Sequence, residues 1–118
     1  MKIKELVPDI ELCKLIPKGE FEDSAFQWQE ATIKGKVCVD IIQHYPLEWE
    51  HPEWAELYPA PTLEEIMAKL PSCVCYRMNE EWSVGLVNDS AENAIKDSSG
   101  AAAALKLWLE LKGIDYGK

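Results

Sequence analysis

The chain has 118 residues, 47% of them hydrophobic and 28% charged, enough to bury one proper core and sized for a single domain over 1–118. Its 21 acidic and 12 basic residues leave a net charge of −9, and Arg77 is the only arginine. Gripping a phosphate backbone takes clustered cations, so this balance argues against nucleic acid as a partner; no run approaches about eighteen apolar residues, so no membrane span is expected.

The N-terminus, MKIKELVPDIELCKLIPKG, lacks the apolar stretch and cleavage site of a secretory leader. The expectation is a chain that stays in the cytoplasm, where its four cysteines, Cys13, Cys38, Cys73 and Cys75, remain thiols.

Pro8-Asp9 opens the first predicted helix, 10–16. Asp9 is placed to cap it, and Ile10, Cys13 and Ile16 form one apolar stripe. Pro17 and Gly19 end it. Residues 25–31 alternate, with Phe26 and Trp28 pointing one way and Gln27 and Gln29 the other, the period of a half-buried strand. Lys34-Gly35 marks a turn into a second strand, 36–42, rich in Val37, Val39, Ile41 and Ile42, so a hairpin is predicted here.

Residues 43–61 hold Pro46, Pro52, Pro59 and Pro61, which bar a long helix or an inner strand. The segment reads as a long loop, with room for one helical turn over 52–57. Thr62-Leu63-Glu64-Glu65 is a capping box. It starts a helix with Leu63, Ile66, Met67 and Leu70 on one face, stopped by Pro71. A second hairpin follows, 73–78 and 81–87 around Asn79-Glu80, with Trp82, Val84 and Leu86 on one face; 88–97 reads as a polar loop. Ser98 or Ser99 caps the last helix, 100–112, whose apolar face runs through Ala101, Ala104, Leu105 and Trp108; Gly113 sits where a left-handed cap belongs, and 115–118 forms a frayed tail.

The expected fold is α+β, in the order α-ββ-α-ββ-α, with two hairpins joined into one four-stranded antiparallel sheet and helices packed on one face.

Three stretches carry a resemblance. They are Ile10-Glu11-Leu12-Cys13-Lys14 with Phe21-Glu22-Asp23-Ser24-Ala25-Phe26-Gln27-Trp28; Ala60-Pro61-Thr62-Leu63-Glu64-Glu65-Ile66 with Leu70-Pro71; and 101–109 with Gly113-Ile114. In these, and in their order along most of the chain, the sequence resembles small uncharacterised proteins encoded by phages and prophages. The resemblance implies a compact α+β fold and a bacterial host cell. It carries no activity, cofactor or site residue with it.

Candidate chemistry is sparse. Cys73 and Cys75 share a face if they lie on a strand, and with Cys38 and His44 they offer a zinc-type ligand set. The spacing fits no standard zinc motif, and buried thiols explain it more simply. Cys38 with His44 has nothing to bring the pair together as nucleophile and base, and His44 and His51 are separated by Pro46. Ser98-Ser99-Gly100 at a helix start is read as an N-cap before an anion site. No phosphate loop, nucleophile elbow or dinucleotide fingerprint is present.

What remains is the aromatic loop. Tyr45, Trp49, Trp54 and Tyr58, interleaved with Glu48, Glu50, Glu53 and Glu56, have the composition of a protein interface, since Trp and Tyr bury large areas with few rotors. The sequence reading is a non-enzymatic interaction protein without cofactor, binding a protein partner or itself. The alternatives are an acidic decoy that mimics nucleic acid before a basic host protein and a small cysteine-based metal-binding domain.

Overall fold

The computed structural model describes residues 5–43 and 55–116. In chain order the elements are α1 (Ile10–Cys13), β1 (Phe26–Ile33), β2 (Lys36–Gln43), β3 (Ala55–Pro59), α2 (Leu63–Met67), β4 (Cys73–Met78), β5 (Glu81–Leu86), a 3₁₀ turn (Ala91–Asn93), β6 (Ile95–Asp97) and α3 (Gly100–Leu111).

The α+β class holds, but the single four-stranded sheet does not. The described residues form two three-stranded antiparallel sheets, ordered β2-β1-β3 and β4-β5-β6. Each hairpin recruits its own third strand, which occupies the edge the other hairpin would have used. On β1 that strand is β3, pairing Trp28 with Tyr58; on β5 it is β6, pairing Val84 with Ile95. Ala55, Glu56 and Leu57, expected in a helical turn, are therefore extended, and the polar 88–97 stretch contains a short strand.

Both predicted hairpins form around two-residue turns, with Ile33 opposite Lys36 and Met78 opposite Glu81. Lys34 and Gly35 both take positive φ, +52° and +79°, the type I′ pattern whose twist matches the strands.

The helix signals also act as read. Asp9 accepts from the Leu12 N–H, and Thr62 and Glu65 complete the capping box. Both of these helices are shorter than expected. Past Cys13 and past Met67 the backbone tightens into i→i+3 bonds, such as Ile16 N–H to Cys13 O and Leu70 N–H to Met67 O. At the end of α3, the Ile114 N–H reaches Leu109 O while Gly113, at φ +76°, bonds Glu110 O, a Schellman closure.

The core is organised around α3. Ala101 through Leu105 and Leu107 through Leu109 are buried, which is more than one stripe, because α1, α2, β5 and β6 all pack on this helix. The alanines let those elements approach closely. Phe21 meets the Trp108 ring edge-on at 4.9 Å between centroids. The first sheet joins this core through the inner end of β1, where the buried Trp28 indole N–H donates to Pro8 O at 2.9 Å and Lys14 reaches Glu30 at 2.8 Å. The turn end of the β1–β2 hairpin lies outside the core. Ile33, Val37 and Val39 are exposed there, and the molecule is 48 Å long against 28 and 26 Å across.

Candidate functional site

The second hairpin places alternate residues on the two faces of its sheet. Cys75, Arg77, Trp82, Val84 and Asp97 share the face turned toward α3. The apolar members run under the helix. Arg77, Trp82 and Asp97, at the turn end, emerge from beneath its first turn and line one side of a groove.

The opposite wall comes from the N-terminal segment, with Leu6, Val7, Asp9 and Leu12; Trp28 and Leu63 contribute to the lining, and the cavity measures about 900 Å³. That volume is in the range of binding clefts, and the lining mixes apolar groups with six charged side chains, Glu5, Asp9, Glu11, Arg77, Asp97 and Lys106.

Two polar pairs mark the groove. The Arg77 guanidinium sits 5.9 Å from the centre of the Trp82 ring, its cross-strand partner, a cation–π placement. Lys106 on α3 donates to Asp97 Oδ2 at 2.7 Å. Burial pushes the Asp97 carboxyl up, but the Lys106 hydrogen bond, the Ser99 N–H at 3.0 Å and the charge of Lys106 outweigh it and hold the group below its ordinary range. Asp97 thus stays ionised and fastens the start of α3.

Ser99 is the N-cap of α3, its hydroxyl accepting from the Ala102 N–H at 3.2 Å. With Asp97 on the Ser99 N–H, the first turn is closed by the protein's own groups. Trp82 also packs against this turn. A Cβ added at Gly100 would lie 3.0 Å from the indole and 3.2 Å from Leu63, so any larger residue would have to push these side chains aside.

Of the residues singled out from sequence, the described ones, Tyr58, Cys38, Cys73 and Cys75, do not line this groove. Tyr45, Trp49, Trp54 and His44 lie outside the described residues. Tyr58 is on β3, half-buried against the core, with the Lys14 ammonium 5.6 Å above its ring. Cys38 is exposed on β2, while Cys73 and Cys75 are on β4 in the other sheet, on one face as the strand period requires. Among the described residues no group of three or more His, Cys, Asp or Glu is placed to hold a metal ion.

Burial raises the thiol pKa values of Cys73 and Cys75, and Cys73 Sγ points at Met67 Sδ, 3.6 Å away. Burial, reinforced by Asp9, pushes Cys13 up to about 12 despite the opposing effect of Trp28. Cys13 is a packing thiol, far from the thiolate form that a nucleophile needs, and the shifts at Cys73 and Cys75 run the same way.

Sequence reasoning missed the Arg77–Trp82 pair, although the signal was present. A two-residue turn at Asn79-Glu80 puts Arg77 directly opposite Trp82. Asp97 and Lys106, nine residues apart on different elements, gave no such signal.

Among the described residues no helix is long and apolar enough to cross a membrane. No protein-family model matches the chain, and neither a curated protein nor a solved structure matches it.

Proposed function

We propose that the chain is a non-enzymatic interaction protein whose groove between the N-terminal segment and the start of α3 seats a segment of a protein partner. The observation that supports this most is Arg77 lying over Trp82 in the lining of the groove, because Arg and Trp dominate the energetics of protein interfaces when they can be desolvated together. The apolar groups of the lining that reach the surface, Leu6 and Leu63, supply area for a partner's hydrophobic side chains. Glu5, Asp9 and Glu11 on the N-terminal wall favour a partner segment that also carries a cation. The phage or prophage setting suggested by the sequence resemblance belongs to the same proposal.

The test is affinity capture from host lysate at low and high salt, with wild-type protein beside Arg77→Ala. Arg77 packs on the outside of the Trp82 ring, so its truncation leaves the core in place; an unchanged melting temperature checks this. A partner retained by the wild type in salt and lost by the variant is the expected result. Equal capture by both proteins rules the groove out. A partner lost from both in salt points instead to the acidic-decoy reading.

A further inference from the structure

The β2 edge of the first sheet, unpaired among the described residues, has a self-complementary pattern. The two-residue turn makes Ile33 and Lys36 the hydrogen-bonded pair that closes the β1–β2 hairpin. Antiparallel pairing alternates from there, so Lys36, Cys38 and Asp40 direct their backbone N–H and C=O groups to β1. Val37, Val39 and Ile41 direct theirs outward. The Ile41 N–H shows this: Asp40 Oδ1 meets it at 2.8 Å. Among the described residues β2 has β1 as its sole strand neighbour.

The side chains of this edge are exposed as well. Val37 is 64% and Val39 39% accessible on one face, while Lys36, Cys38 and Asp40 are exposed on the other. The eight-residue strand has no proline and no bulge to keep another edge away, and its two charges, Lys36 and Asp40, are opposite in sign, so they repel a second copy only when like is set against like.

We propose that β2 is a self-pairing edge, through which two copies of this chain join antiparallel about a twofold axis at Cys38 to form one continuous sheet. The register follows from charge and hydrogen-bond parity. With Cys38 opposite Cys38 of the second copy, Val37 faces Val39 on both sides of the axis. These are the outward-bonding residues, so each such pair exchanges both of its N–H···O bonds. Lys36 then faces Asp40, an opposite-charge pair made twice by symmetry. Shifting the axis to Val39 keeps the parity but sets Lys36 against Ile42 and Cys38 against Asp40, which removes both charge pairs. The Asp40 cap on Ile41 limits the pairing to the segment between Lys36 and Asp40.

The interface is small, and each copy carries a net charge of −9. Repulsion between the distant charges is screened beyond about 8 Å at physiological salt. The contact itself is locally neutral. A weak dimer is therefore expected, independent of the groove and of whatever binds there.

Sedimentation equilibrium tests this. The wild-type mass should rise toward twice the monomer value between about 10 μM and about 1 mM, the range a small interface supports. Lys36→Asp and Asp40→Lys, each placing like charges opposite each other, should stay monomeric, and Lys36→Asp with Asp40→Lys in one chain should restore the dimer. Both positions are exposed, so unchanged circular dichroism shows that the hairpin is intact. Copper-phenanthroline oxidation should link the wild-type dimer through Cys38, because a non-hydrogen-bonded pair sets Cα atoms about 4.5 Å apart, within disulfide reach. Cys38→Ser should abolish the link. A wild type that stays monomeric throughout, single variants that dimerise as well as wild type, or a double variant that stays monomeric overturns the proposal.

Discussion

The Glu65 carboxylate holds two segments of the chain at once: Oε1 accepts from its own N-cap at Thr62, 2.8 Å away, and Oε2 accepts from the Ala25 N–H at 3.0 Å, forty residues distant. The capping box that starts α2 is therefore also the clamp at the entrance to β1. Glu65→Ala should lower stability in urea unfolding by about 1–2 kcal/mol, since it removes a cap and a second charge-assisted bond. Its exposed neighbour Glu64, substituted the same way, should cost less than about 0.5 kcal/mol.

Trp28 ties the first sheet to the segment before α1. Its indole N–H satisfies the carbonyl of the fully buried Pro8. Trp28→Phe keeps a ring in place but strands that oxygen in the core, leaving only the weak Cys13 thiol contact at 3.6 Å. A loss of about 1–3 kcal/mol is expected in chemical denaturation, with little change in the slope of the transition.

At Gly100 helix propensity and packing pull in opposite directions. Alanine gains about 1 kcal/mol of intrinsic propensity over glycine in a helix interior, less at the first position. Its Cβ would lie 3.0 Å from the Trp82 ring and 3.2 Å from Leu63, which overpacks the site by about 1–3 kcal/mol. Gly100→Ala should therefore lower the melting temperature and shift Trp82 fluorescence.

Asp97 makes stability depend on pH in a definite direction. Its carboxyl is held below the ordinary value when folded, so the folded state binds the proton more weakly than the unfolded chain. The stabilisation is complete above the unfolded value, about 3.9, and is lost as pH falls through the folded value. Melting temperature should drop on acidification below about pH 4, and Asp97→Asn should flatten that drop.

The thiols should separate by reactivity. Cys38 is exposed, whereas Cys13 is fully buried with its pKa pushed up to about 12. At pH 8 only about one Cys13 in ten thousand is thiolate. With a thiol-specific chromogenic reagent, Cys38 should react at once in the native protein. Cys13 should react at the rate of global unfolding.

Local chemistry was legible in the sequence wherever a side chain speaks to its own neighbourhood. Asp9, the Thr62–Glu65 box, Ser99 and Gly113 cap as read, and the turns at Lys34-Gly35 and Asn79-Glu80 fix both hairpins. Pairing between distant segments was not legible. Among the described residues β3 is an edge strand, so Pro59 at its end costs no ladder bond and was compatible with a strand after all. β6 has three residues, too few to display a period. α3 was read as one-sided because its outer alanines carry no polar or apolar signal; only the number of elements packed around them shows that they are interior. The groove was hidden for the same reason, since Asp97 and Lys106 meet only once β6 and α3 are docked.

The projecting end of the first hairpin gives the molecule an uneven susceptibility to solvent. Residues Ile33 to Val39 rest on ladder bonds with few buried side chains beneath them, while the middle of α3, Lys106 apart, is buried in the core. Deuterium should enter the tip through local fraying at nearly no free-energy cost, long before it reaches Leu105 or Leu109, which must wait for the whole chain to open. Exchange should thus divide the chain into a nucleus that opens only on global unfolding and an arm that opens locally.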